Sequence, residues 1–485
     1  MKLTALLKSG DTLKILSHTG GDPDISSLCF DSRQVETGCC FIAQRGTRVD
    51  GHDYIDTAIE KGAVAVVCCE LPARLNPSVA YVQVDNSDIA LGVMADNFYD
   101  HPSRKLKLVG ITGTNGKTTT VTLLHRLFRD YGCHAGLLST IVNKIDDDPV
   151  PSTHTTPDAL ELNRLLSLMV QAGCQYAFIE VSSHSIVQNR IAGLTFAGGI
   201  FSNITHDHLD FHKTMAAYIA AKKAFFDNLP SEAFALTNLD DRNGLVMVQN
   251  TKAQVCTYSL QRMADYRCRI MEETFSGLLL EINGREVSTH LVGRFNAYNL
   301  TAIYAAAVLC GMSADEALRL LSTLHPAEGR FQYVTGNGVT AIVDYAHTPD
   351  ALQNVLTAIN DIRRQSQSLI TVVGCGGDRD TTKRPEMAAI ASHLSDRLIL
   401  TSDNPRTEDP ERILDDMEAG LTPEEKSRAV RITDRRQAIR TAVLMAHQGD
   451  IILVAGKGHE KYQDIQGVKH HFDDREELEK LLLNE

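Results

Sequence analysis

The chain has 485 residues, 43% hydrophobic and 22% charged, with a formal net charge of −13. That length exceeds what one hydrophobic core usually serves, so several domains are expected, in an ordinary soluble balance of residues. The acidic surplus argues against a protein that coats nucleic acid, yet leaves room for an anionic ligand held by a few local Lys, Arg and backbone N–H groups.

In chain order, MKLTALLKSGDTLKIL at the start carries charges too early for a secretory apolar core, and no later run approaches membrane-spanning length. A cytoplasmic protein without membrane insertion is expected. The eleven cysteines include two vicinal pairs, Cys39-Cys40 and Cys68-Cys69, but no CxxC spacing, so reduced thiols are expected and not a disulfide or zinc framework. GAVAVVCCE (62–70) and VAYVQVDN (79–86) read as strands, and His101-Pro102-Ser103 breaks the pattern, giving a first domain over 1–102. Strands are then expected at KLVGIT (107–112), YAFIEVS (176–182), GGIFSNI (198–204) and FALTNL (234–239), with an amphipathic helix over VTLLHRLFRDYG (121–132). A helical stretch is expected to end at His325-Pro326, with a boundary near Glu328-Gly329-Arg330-Phe331, giving domains over 103–330 and 331–485. The last part repeats the alternation with VTAIVDYAH (339–347), SLITVVGCGG (368–377), RLILTSDNP (397–405) and DIILVAGKG (450–458). Strands alternating with helices indicate α/β units with mainly parallel sheets, which gather functional groups at the carboxyl ends of the strands. Three such units fit the pattern.

The sharpest motif is LVGITGTNGKTTT (108–120), a strand, a glycine-bearing turn and a helix start. Gly113, Thr114, Asn115, Gly116, Lys117, Thr118 and Thr119 form a loop suited to a triphosphate: glycines let the backbone wrap the phosphates, and successive N–H groups at a helix N-terminus supply positive potential. Lys117 is expected to reach the β/γ phosphates, and Thr118 or Thr119 to hold Mg²⁺. The strict GxxxxGK(S/T) pattern is missed, because Ile111 stands where its first Gly belongs. Read alone, His206-x-His208-x-Asp210-x-His212 permits a zinc site or a polar strand end, and YIAAKKAFF reads as a helix with Lys222 and Lys223 facing solvent.

Further segments follow in order: EVSSH (180–184), NITHDHLDFH (203–212), AAKKAFF (220–226), GRFNAYN (293–299), EGRFQ (328–332), DYAHTPDAL (344–352), GCGGDRD (374–380), SDNPRTEDP (402–410) and AGKGHE (455–460). With TGTNGKTTT (112–120) they resemble the Mur ligase family over nearly the whole chain. The resemblance implies an N-terminal uridine-nucleotide-binding α/β domain, a central P-loop-type ATPase domain and a C-terminal Rossmann-like domain. Within the family the chain resembles members that use ATP to add meso-diaminopimelate to UDP-N-acetylmuramoyl-L-alanyl-D-glutamate through an acyl phosphate; a monomer is expected. Folylpolyglutamate synthetases share this fold and chemistry but give no reason for the DNPR stretch (403–406) or the N-terminal domain.

The resemblance also implies roles. Thr118, Glu180, His208 and a carbamylated Lys222 become ligands of Mg²⁺, with Lys117 catalytic beside them. Glu180 and His208 are both placed at strand ends. Asn299, with Asn296, meets adenine, helix N-capping being the alternative for either; Arg330 and Asp344 approach ATP from either side of a hinge. Ser32, Thr47, Arg48 and Val49 take the uridine end of the sugar nucleotide, and His154, Thr155, Thr156, Ser182, Gln188 and Arg190 its muramoyl-dipeptide. Arg379, Asp403, Asn404, Pro405, Arg406, Gly456 and Glu460 take diaminopimelate. An arginine at 406 suits a distal carboxylate, which it can bind in two parallel hydrogen bonds, and repels an ammonium in that place.

Overall fold

A computed structural model describes residues 1–10, 12–46, 49–152 and 154–483. Thr47 and Arg48 lie outside the described residues. Three sheets and a two-stranded ribbon are seen among those described.

The first sheet has five strands, in the order Ile15–Thr19, Ala80–Val84, Ala65–Cys68, Cys39–Ile42 and Ser27–Cys29. Only the edge strand Ile15–Thr19 runs antiparallel to its neighbour. AVVC (65–68) is buried throughout, which is why it reads as an unbroken apolar run and not as an alternation. Helix Ser87–Phe98 starts where the Asn86 side chain accepts from the Asp88 and Ile89 amides, and it packs towards helix Ala159–Gln171 of the central unit. At that seam Gly92 faces Ala192, whose carbonyl would lie 2.6 Å from an added Cβ, so only glycine lets the two backbones approach.

The second sheet has eleven strands, and its interior run from Gln254–Ser259 through Phe234–Asn238, Gly198–Phe201, Lys107–Thr112 and Tyr176–Glu180 to Ala135–Leu138 is parallel. Both edges depart from the parallel expectation. Tyr266–Thr274, Gly277–Ile282 and Arg285–Thr289 form an antiparallel meander on one side, and Asn143–Ile145 with Asp148–Val150 form a hairpin on the other. Helix Lys117–Asp130 buries Val121, Leu124, Leu127 and Phe128 against this sheet at helical spacing; each such side chain contributes about 1.5–3 kcal/mol when removed from water. It ends on Gly132 (φ 92°), with the Cys133 amide donating to the Phe128 carbonyl in a Schellman closure. The helix expected to end at His325-Pro326 stops at Leu321, four residues earlier.

The third sheet has six strands, in the order Gln332–Gly336, Val339–Asp344, Ile451–Ala455, Leu369–Val373, Arg397–Leu400 and Ala429–Arg431. Only its first pair is antiparallel. All eleven cysteines are free thiols. No helix among the described residues is long and apolar enough to cross a membrane.

Candidate active site

The residues expected to meet ATP, the metal and diaminopimelate lie mostly beyond the carboxyl ends of the parallel strands of the second and third sheets. In the central unit the phosphate loop follows strand Lys107–Thr112, and Glu180 closes strand Tyr176–Glu180 beside it. Gly113 (φ 156°) and Gly116 (φ 88°) let the loop turn; added Cβ atoms would lie 1.9 Å from Ser202 Oγ and 2.5 Å from Asn299 Oδ1. Not every loop amide is free for a phosphate. The Thr114 amide donates to the Asn203 carbonyl (2.8 Å) and the Asn115 amide to Asn203 Oδ1 (2.9 Å). The cradle therefore begins at Gly116, where the first turn of helix Lys117–Asp130 has no intrahelical partners for its N–H groups. Lys117 Nζ folds over the loop and donates to the carbonyls of Gly113 (2.9 Å) and Thr114 (2.8 Å), and burial holds its pKa below the usual lysine value.

Glu180 is fully buried. Its Oε1 accepts from the Thr140 amide (2.7 Å), while Oε2 has no partner, an arrangement that favours a cation. Lys222 is also fully buried, with Nζ donating to the Gly113 carbonyl (2.8 Å) and standing 4.7 Å above the Tyr218 ring. Burial, aided by Lys117, pushes its pKa well below the ordinary value, so the amine is neutral far more readily than a surface lysine. Lys223 is also largely covered, keeping 14% of its side-chain surface, but it pairs with Asp227 at 2.6 Å. The reading of both as solvent-facing therefore fails, and what distinguishes the two is that Lys223 has a carboxylate partner and Lys222 does not.

His208 does not sit at a strand end, contrary to expectation. Strand Gly198–Phe201 ends seven residues earlier, and His208 adopts a left-handed conformation (φ 53°) ahead of the short helix Leu209–His212. Its ring packs edge-on to His184 at 5.0 Å, and burial lowers its pKa. The histidines read as a possible zinc site have separate partners: His206 pairs with Asp380 at 3.8 Å, and His212 bonds Ser183 Oγ at 2.9 Å. Asp207 was not singled out from the sequence. Burial alone would raise its pKa, but His208, His347, Lys383 and Lys117 surround it and bring it below the ordinary value.

Asn296 and Asn299 lie inside helix Arg294–Leu309, capped at Gly293, so neither is an N-cap. Asn299 Nδ2 donates to Asn296 Oδ1 (3.0 Å); both are buried, and Asn299 lies against Gly116 of the loop. Thr118 meets Arg330 Nη2 at 3.4 Å, and Arg330 lies over the Tyr345 ring at 4.6 Å. Asp344 Oδ2 accepts from the Phe331 amide (2.7 Å) and is raised in pKa by burial, with Arg330 opposing. A second bridge to the third unit was not anticipated: Asn115 Nδ2 donates to Asp350 Oδ2 at 2.7 Å.

On the flank of Glu180, Thr156 Oγ1 donates to the Glu180 carbonyl (2.7 Å) and accepts from the Ser182 amide (3.2 Å), and Arg190 Nη1 donates to the Thr156 carbonyl (2.7 Å). Thr140 Oγ1 donates to Thr155 Oγ1 (3.0 Å), and Ser182 caps helix Ser183–Val187, after which Gln188 follows. These residues form one polar wall with His154 at its rim. Ser32 and Val49 lie in the first unit, Ser32 opening a 3-10 turn whose carbonyl accepts from Lys61 Nζ (2.9 Å), and Val49 exposed.

In the third unit the candidate residues follow three neighbouring strands. Gly376 stands between two arginines: an added Cβ would lie 3.1 Å from Arg406 Nη1 and 3.9 Å from Arg379 Cγ. Arg406 takes a left-handed φ of 51°, and its amide donates to the Asp464 carbonyl (3.0 Å). Opposite in charge are Asp403 and Glu460, which share a buried lysine, Lys457. Asn404 Nδ2 donates to Glu460 Oε2 (2.7 Å), Pro405 is buried, and Gly456 (φ 115°) leaves open the space in front of Asp403 Oδ2. Burial and the Asp403 charge raise the Glu460 pKa.

Residues 24–99 match the family model described as the Mur ligase family catalytic domain, residues 111–307 the Mur ligase middle domain, and residues 329–458 the Mur ligase glutamate ligase domain. A Parabacteroides distasonis protein named UDP-N-acetylmuramoyl-L-alanyl-D-glutamate–2,6-diaminopimelate ligase is 58% identical over 459 residues, 94% of each chain. The chain belongs to the Mur ligase family. A protein of the same name from Bacteroides fragilis is 55% identical over 482 residues, 99% of each chain. A solved structure bearing that name superposes with a TM-score of 0.68 at 33% identity, covering 95% of each chain.

Proposed function

We propose that this Mur ligase joins meso-2,6-diaminopimelate to the D-glutamyl γ-carboxylate of UDP-N-acetylmuramoyl-L-alanyl-D-glutamate, using ATP, in cytoplasmic synthesis of the peptidoglycan precursor. The observation that carries this reading is the two-pole arrangement in the third unit, where Arg379 and Arg406 flank Gly376 while Asp403 adjoins Gly456 and shares Lys457 with Glu460. A distal amino-acid centre carries one carboxylate and one ammonium, and such a pair of poles suits both. The name borne by full-length relatives agrees with it.

In the first step the γ-carboxylate oxygen attacks the γ-phosphorus of ATP, the bond to the ADP oxygen breaks, and an acyl phosphate forms. The cradle from Gly116 to Thr119, with Gly113, Thr114 and Asn115 shaping it and Lys117 above, binds the phosphates. Asn299 and Asn296 face the adenine, and Arg330 approaches the phosphates beside Thr118 while Asp344 fixes the turn that carries it. In the second step the neutral amine of diaminopimelate attacks the acyl carbon, the phosphate leaves, and the amine loses a proton. Ser32, Thr47, Arg48 and Val49 hold the uridine end, and His154, Thr155, Thr156, Ser182, Gln188 and Arg190 the sugar and dipeptide.

Mg²⁺ suits the residues present, because Glu180 Oε2 is a buried carboxylate oxygen with no protein partner. Thr118, Glu180, His208 and Lys222 would hold it, Lys222 as a carbamate formed when its neutral amine adds to CO₂ and releases a proton. Bound there, the ion neutralises phosphate oxygens as charge builds in the transfer.

The acyl phosphate makes a specific demand. With ¹⁸O in the γ-carboxylate of the UDP-dipeptide, one labelled oxygen is expected in the released phosphate; unlabelled phosphate would exclude carboxylate activation.

A further inference from the structure

Lys457 stands outside the residues assigned to substrates, yet its surroundings are unusual. Its side chain is fully buried, whereas those of Asp403 and Glu460 keep 8% and 16% of their surface. It therefore lies behind the two carboxylates, out of reach of a bound amino acid. Its nearest partner is a neutral one, Asn404 Oδ1 at 3.0 Å, while Asp403 Oδ1 and Glu460 Oε2 each stand at 3.5 Å. The ammonium thus bridges both acids and is committed to neither. Asn404 locks this geometry by also donating to Glu460 Oε2 at 2.7 Å. The other buried cation close by, Arg435, is spent on Asp474 through bonds of 2.7 and 2.8 Å. Two carboxylates and one lysine leave the pole with one negative charge, and the missing side chain at Gly456 opens Asp403 Oδ2 towards the ligand. A buried ammonium is costly, and a methionine of similar length would fill the same space without that cost.

We propose that Lys457 is a specificity-determining positioning residue that sets the acidic pole at one net negative charge, so that it takes a single ammonium alongside the carboxylate held by Arg379 and Arg406. The inference rests on the amino-acid site proposed above. With Lys457 removed, Asp403 and Glu460 repel one another without their bridge and part or take up a proton, so the geometry they offer the ammonium is lost; neutralising one acid at the same time relieves that repulsion.

The test is a double-mutant cycle on the full-length enzyme, following phosphate release with diaminopimelate varied. Lys457→Met and Glu460→Gln are each expected to raise the KM for diaminopimelate about tenfold or more, leaving the KM for ATP within about twofold, because each changes the charge at the amino-acid site and neither residue is assigned to ATP. The double variant K457M/E460Q is expected to show a KM for diaminopimelate about tenfold or more below the product of the two single defects, because it keeps the single negative charge, and Lys457→Arg to stay within about threefold of wild type for the same reason. A double variant whose defect equals or exceeds the product of the two single defects would overturn the proposal and give Lys457 a merely structural role. Should Lys457→Met alone fail to fold, the comparison of the double variant with Glu460→Gln decides: an equal or lower KM supports the charge balance, and a higher one overturns it. A wild-type enzyme that consumes no diaminopimelate overturns the ligase reading as well, which separates the two failures.

Discussion

Replacing Gly456 by alanine tests the geometry of the amino-acid site more sharply than deleting a charged group. The backbone there has φ 115°, and an added Cβ would lie 2.6 Å from Asp403 Oδ2. An L-residue held in a positive-φ conformation costs about 1–2 kcal/mol. The carboxylate cannot simply step aside: the Asp403 carbonyl accepts from Gln463 Nε2 at 2.7 Å, and Lys457 stands 3.5 Å from Oδ1. Displacing Asp403 from a bound ammonium forfeits a hydrogen bond to a charged group, about 1.5–3 kcal/mol. At about 1.4 kcal/mol per tenfold, this predicts roughly a 10- to 100-fold rise in the KM for diaminopimelate. Steady-state phosphate release with each substrate varied in turn reads it, with the KM values for ATP and the UDP-dipeptide serving as internal controls. A Gly456→Ala enzyme with wild-type affinity for diaminopimelate would refute the placement of the ammonium beside Asp403. An equal loss for all three substrates would point instead to general distortion.

Three other outcomes follow from the same geometry. Glu180→Gln keeps an acceptor for the Thr140 amide but removes the charge behind the unpartnered oxygen; turnover should fall about a hundredfold or more, with a higher Mg²⁺ requirement seen in a metal titration. Asp350→Ala breaks the 2.7 Å bridge to Asn115, worth about 1 kcal/mol, so kcat/KM should drop about fivefold while the far-ultraviolet dichroism stays unchanged. His459 is pushed by burial from 6.5 to about 3, so below 6.5 the unfolded chain binds a proton that the folded chain refuses, and stability is lost as pH falls through that window. His459→Gln should flatten this fall, by at most about 1.4 kcal/mol per pH unit, in denaturant titrations between pH 6.5 and 4; parallel curves for the two proteins would contradict it.

The sequence made the parallel strands legible because burial on both faces writes them as continuous apolar runs, as in KLVGIT and DIILVAG. The antiparallel meander over 266–289 is not legible because its first strand, YRCRIMEET, is mostly exposed or half-buried, with only Cys268 buried, and carries no motif. In the site, motif order brought out the loop, Glu180, Lys222 and the DNPR stretch. What stayed hidden depends on side chains meeting across long sequence separations. Asn203 occupies two loop amides from 88 and 89 residues away, and Asp350 reaches Asn115 from the first turn of helix Pro349–Ile362 in the third unit. Lys457 within AGKGHE is fully buried, which neither the spacing nor the residue type of that glycine-rich stretch announces. His208 shows the opposite error: the histidines of NITHDHLDFH suggest an extended strand end, but the chain turns through a left-handed residue before the short helix.

The most direct measurement is an amino-acid panel. The enzyme is given UDP-N-acetylmuramoyl-L-alanyl-D-glutamate, ATP and Mg²⁺, and phosphate release is followed with meso-diaminopimelate, lysine or no amino acid, with the product identified by mass. Sustained release with diaminopimelate, one phosphate per tripeptide formed, and far slower release with lysine is the predicted result. Equal release with lysine, or release indifferent to the amino acid, would contradict it.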